Sequence, residues 1–159
     1  MVSYNVDSVT DSDTVVLEEG IDSGCIAVGD EVLMISLQGA SENTVNVGNW
    51  ETFRVSALAT TSTTDDTINL TATKKKHYGH TAKSDTGIGA TTSDQRVIIQ
   101  RVPNYTEVTI ESAGTITADD WTGAEGGILF FRATGTVDVQ SGGAISMSQK
   151  GYRGGSSSN

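Results

Sequence analysis

His77-Tyr78-Gly79-His80 is the one place in this sequence where two histidines and an aromatic residue crowd together. Imidazoles three positions apart can share a metal on a helical turn, but Gly79 argues against a regular helix. The neighbouring Lys74-Lys75-Lys76 triplet repels a cation, and no cysteine or carboxylate sits beside it. No metal and no cofactor are expected. The segment reads as an exposed loop, whose His77, Tyr78 and His80 are candidate contacts for a glycan or a partner chain.

Asp119-Asp120, with Glu111 and Glu125 nearby, is the second candidate. Clustered carboxylates serve general acid/base work in polysaccharide hydrolases and lyases. Asp119-Asp120-Trp121-Thr122-Gly123 has equally good turn chemistry, because Asp accepts backbone N–H bonds in turns. Trp50 and Trp121 have faces suited to stacking on sugars, although a tryptophan in a chain with 6 % aromatic residues also suits a core or turn position. Arg101 and Arg132 stand in otherwise apolar stretches. Each therefore points outward or pairs with an acid, and Glu107 or Glu111 is the expected partner in an ion pair fixing a junction between two halves of the chain. No GxSxG, P-loop, GxGxxG, HExxH or EF-hand pattern occurs. The chain is read as non-enzymatic.

These residues must be carried by strands. With 159 residues there is room for one domain or two very small ones. The 18 glycines, a single proline and abundant Ser, Thr and Val suit strands joined by tight turns, and helix formers never cluster over three turns. A net charge of −10 opposes binding to a phosphate backbone, so nucleic acid is not an expected partner. Cys25 is the only cysteine, which excludes an internal disulfide and suits a small buried apolar residue. No apolar run is long enough to span a membrane, and the first residues lack the basic and apolar regions of a signal peptide.

Strands are predicted at 14–17, 31–37, 51–58, 66–72, 95–102, 107–111, 127–133, 136–139 and 144–147. In 51–58, Phe53, Val55 and Ala57 share one face with polar residues opposite. Val32-Leu33-Met34-Ile35 and Ile128-Leu129-Phe130-Phe131 are continuously apolar, as strands buried on both faces are. Residues 74–94 have no apolar periodicity and read as a long loop, a length associated with function. After Tyr105 the texture changes: AGTIT, TGTVDV and GGAISM look like successive copies of one Gly-β unit, the pattern of a parallel β-helix or similar solenoid. A β-sandwich with short hairpins is the alternative. Residues 152–159 have linker composition.

The string RVPNYTEVTIESAGTITADDWTGAEGGILFFRATGTVDVQSGGAISMSQKGYRGG resembles a module of very large bacterial surface proteins and phage tail-fibre-like proteins, where it leads into a glycine-rich region. GDEVLMISLQG and KHYG fit the upstream half of that module. The resemblance implies an extracellular, cell-surface or virion location and a structural or adhesive role. The expectation is an all-β chain with a β-barrel or sandwich-like half over 1–103, a β-helix-like half over 104–151 and a Gly/Ser linker over 152–159. It would cap or adapt a longer fibre or solenoid. Its expected partners are downstream regions of its own chain, further copies of itself, or glycans. A carbohydrate-binding module, with Trp121 a further candidate contact besides His77, Tyr78 and His80, and a polysaccharide-acting β-helix enzyme are the competing readings.

Overall fold

The computed structural model describes residues 2–40, 43–60, 65–91 and 93–151. The linker expected at 152–159 lies outside them. Among the described residues there is no helix and there are twelve strands. Six of these form a closed antiparallel barrel: β1 (Ser3–Asp11), β2 (Thr14–Leu17), β3 (Glu31–Gln38), β4 (Trp50–Ala59), β5 (Thr67–Leu70) and β6 (Arg96–Arg101). The order around it is β1-β2-β5-β4-β3-β6, and β6 closes on β1 through Ser3↔Gln100 and Tyr4↔Ile99. Closure removes the free sheet edges that an open sandwich would have to protect.

Alternation builds the barrel's interior. Tyr4, Val6, Val32, Met34, Phe53, Val55, Val97 and Ile99 point inward into one cluster. On the opposite face of the same strands, Ser3, Gln100, Leu33 and Thr52 are neighbours in register, followed by Asn5, Ile98, Ile35 and Trp50. Leu33 is 2 % exposed and Ile98 fully buried, so this outer wall is also covered. The cover is the segment 126–132. Its Gly126 N–H donates to Ser3 Oγ (3.1 Å), the Phe130 ring meets that of Trp50, and Arg132 reaches Glu31. The expectation that Val32–Ile35 is buried on both faces therefore holds. Ile128–Phe131 does not form the expected strand. Its apolar character serves to lie across the outer wall, and pairing begins only at Arg132.

Past the barrel, six short strands pair in parallel as three two-stranded ladders. β7 (Asn104–Tyr105) pairs with β10 (Arg132–Ala133), β8 (Val108–Ile110) with β11 (Val137–Val139), and β9 (Thr115–Ile116) with β12 (Ala144–Ile145). The register is nearly constant, with Asn104 opposite Arg132, Val108 opposite Val137 and Thr115 opposite Ala144. Trp121 N–H bonding Lys150 O at 3.0 Å continues it. The glycines between the Gly-β units have a steric reason. A Cβ on Gly143 would sit 2.6 Å from Ile110 O, and one on Gly135 would sit 2.7 Å from Thr106 O. The second row of strands thus lies directly on the backbone of the first.

Candidate functional site

The loop between β5 and β6 is largely exposed, as its composition suggested, but it sends individual residues into the barrel. Tyr78 is fully buried and belongs to the barrel's interior cluster. Its hydroxyl donates to Glu51 Oε2 (3.0 Å) and its backbone N–H to Asp85 Oδ1 (2.9 Å). Burial, with the Glu51 charge beside it, pushes the Tyr78 phenol well above its ordinary range. Asp85 also accepts from Lys74 Nζ and meets His77 Nδ1 at 3.2 Å. Although burial opposes the charge, these partners hold its carboxyl below the usual range. Asn46 donates to the carbonyls of Gly79 (2.7 Å) and Thr81 (2.9 Å), and Asn49 to that of His77 (2.8 Å). The loop is laced down by side chains of the β3–β4 connection.

A glycan-contacting role for Tyr78 is therefore corrected: it is a core residue. His80 packs so closely on Gly87, whose φ is +69°, that a Cβ there would fall 1.5 Å from Nδ1. Both histidines are half-buried, and the His77 side chain is 42 % exposed with Nδ1 against Asp85. Trp121 is half-buried, and its backbone N–H donates to Lys150 O (3.0 Å).

The junction ion pair is present with different acids. Arg132 Nε lies 2.9 and 3.0 Å from the two oxygens of Glu31, and its Nη2 lies 2.8 Å from Oε1. Arg101 Nε donates to Asp30 Oδ2 at 2.8 Å. Asn104 Nδ2 adds a third group on Glu31 (3.0 Å), which with Arg132 holds the Glu31 carboxyl below its ordinary range. Glu107 forms no ion pair among the described residues; it is exposed on the ladder side, whereas Glu31 on β3 faces the ladders across the junction. A sequence separation of 101 residues hides that partnership from any local pattern.

The carboxylates Asp119, Asp120 and Glu125 do meet, around a hollow of about 140 Å³ shared with Val2, Ser3, Thr122 and Gly126. Glu111 does not line it. This is below the roughly 300–1,000 Å³ of ligand clefts. Asp120 is paired with Lys150. Burial, then the charges of Glu19 and Asp119, push the Glu125 carboxyl up. No group of three or more His, Cys, Asp or Glu among the described residues is placed to hold a metal ion. No described helix is long and apolar enough to cross a membrane.

What sequence reasoning missed is an aromatic and basic strip on the outside of β4. Trp50, 47 % exposed, lies 6.2 Å from Phe130 between ring centroids, with Lys76 Nζ 5.5 Å from its own centroid. Arg132 stands 5.7 Å from the Phe130 ring. A groove of about 400 Å³ runs beside them between β4 and the β7–β10 ladder, lined by Thr52, Arg54, Thr71, Asn104 and Arg132 among others. Trp50, Thr52 and Arg54 are alternate residues of one strand, so their shared face was legible; their closeness to Phe130 and Arg132 was not.

No protein-family model and no curated protein matches the chain.

Proposed function

We propose that this chain is a non-enzymatic structural module of an extracellular or virion surface assembly. In this reading the barrel covers the first turn of a parallel β-solenoid, and the ladders present the second turn to whatever stacks next. One observation carries it. Val108 and Ile110 are buried at 9 % and 4 % exposure, yet their register partners Val137 and Val139 are 39 % and 44 % exposed. Ile145, stacked on Ile116, is 44 % exposed. In the two valine-bearing columns the first row is covered and the second is open, and beneath Ile145 the first-row Ile116 is half-buried. In a repeating solenoid each coil shields its neighbour's apolar column and backbone, so an open column is a surface made for a further coil. The near-constant register and the glycines seated on the row below support the same reading, as does the resemblance to surface and tail-fibre modules.

Sedimentation over a concentration series tests it. The open edge should drive self-association of the isolated chain, and Val137→Lys with Val139→Lys should abolish that association without unfolding the barrel. A strictly monomeric chain whose Val137–Val139 amides exchange as slowly as those of Val108–Ile110 would describe a covered, self-contained domain, and the reading would fail.

A further inference from the structure

We infer that the groove between β4 and the β7–β10 ladder, with Trp50 beside it, is a binding site for an acidic polysaccharide. The inference is independent of the stacking role above. On a chain of net charge −10 with ten Lys and Arg residues, Arg54 and Arg132 line the groove together with Glu31, and Lys74, Lys75 and Lys76 follow closely on Ala72, another of its lining residues. Lys74 and Arg132 are engaged by Asp85 and Glu31, and the Glu51 carboxylate lies beside Lys75 and Lys76, so Arg54, Lys75 and Lys76 leave the face a small positive excess to attract an external anion. Clustering of cations on an acidic molecule makes a local field opposite to the global one, and such a field selects partners by charge.

The placement is built. Glu51, next to Trp50 on β4, accepts the backbone N–H of Lys75 (2.9 Å) and of Lys76 (3.0 Å) on its two oxygens. These bonds hold the basic triplet along the strand, where Lys76 reaches the Trp50 ring. The indole and the Phe130 ring offer the apolar face that the C–H side of a pyranose packs against, while Thr52 and Asn104 supply groups for hydroxyls. The groove's volume lies within the range of ligand clefts. Carboxylates on successive sugar rings suit three separate cations. A nucleic acid has the denser charge, so the chain's overall −10 opposes it more strongly.

Titration calorimetry with oligogalacturonate at low salt, beside a neutral cello-oligosaccharide and a single-stranded DNA oligomer, tests the assignment. The acidic sugar should bind best, and its affinity should fall as salt rises. Trp50→Ala should weaken it by about tenfold or more, equivalent to ~1.4 kcal/mol. Lys75→Gln with Lys76→Gln should remove the preference over the neutral sugar, whereas Lys83→Gln, an exposed cation elsewhere on the loop, should change nothing. An unchanged melting temperature certifies each variant as folded. Equal binding of DNA, tighter binding of the neutral sugar, indifference to both the Trp50 and the lysine variants, or no binding at millimolar ligand would each overturn the inference.

Discussion

Replacing Tyr78 with alanine is the sharpest test of the claim that the β5–β6 loop sends a residue into the barrel's core. Two losses combine. Emptying a large aromatic site in a packed interior costs about 3–5 kcal/mol. The hydrogen bond to Glu51 (3.0 Å) is charge-assisted and worth roughly 1.5–3 kcal/mol, but Glu51 keeps two backbone donors and so recovers part of it. A total of ~5 kcal/mol is expected for Tyr78→Ala. Tyr78→Phe keeps the ring and should cost about 1 kcal/mol. Against a whole-domain stability of ~5–15 kcal/mol, the alanine variant should be left marginal. In urea denaturation followed by circular dichroism, with a slope of ~2 kcal/mol per molar, its midpoint should drop by about 2.5 M. Trypsin should then cut at Lys74–Lys76, sites the native loop protects by its bonds to Glu51 and Asp85. If Tyr78→Ala shifts stability by less than ~0.5 kcal/mol, as surface substitutions do, the loop is a mobile exposed segment and the reasoning is wrong.

Further outcomes follow from the other pinned groups. Because the folded Glu31 carboxyl titrates below its unfolded range, its contribution is fully present above that range and lost as pH falls through the folded value. Glu31→Gln should therefore flatten the acid limb of the stability profile and cost about 1.5 kcal/mol at neutral pH, the low end for a charge-assisted bond because Arg132 is 47 % exposed. Glu125 has the opposite sign. Between the unfolded and the raised folded value its carboxyl holds a proton that the unfolded chain has released, so stability declines as pH rises through that window. Glu125→Gln should raise the melting temperature at pH 7 and lose that effect below about pH 3, where both states are protonated. Gly143→Ala, whose Cβ would fall 2.6 Å from Ile110 O, should cost ~1–3 kcal/mol and release the β12 amides to exchange while the barrel strands stay protected.

Fold class was legible because strand alternation and turn glycines are local signals. The apolar run Val32–Ile35 announced a strand covered on both sides, and the Gly-β units announced backbone lying on backbone. Ser3–Asp11 escaped notice because bulges between Val6 and Ser8, and between Val9 and Asp11, shift the register and break the period-2 pattern. Ile128–Phe131 misled for a related reason: an apolar run states that something is covered, not that it is a strand. Tyr78 lay hidden in a polar loop, where one core residue leaves no periodicity to read. The pairing of Glu31 with Arg132 and the meeting of Trp50 with Phe130 depend on where the C-terminal segment crosses the outer wall, and nothing local encodes that crossing.

The receiving edge proposed for the ladders is best tested on a chain in which residues 122–150 are repeated once after Lys150. Backbone hydrogen exchange should show the added coil folded in the same parallel register, with the Val137 and Val139 amides newly protected and the melting temperature raised. Added residues that exchange freely, with Val137 and Val139 unchanged, would contradict the account.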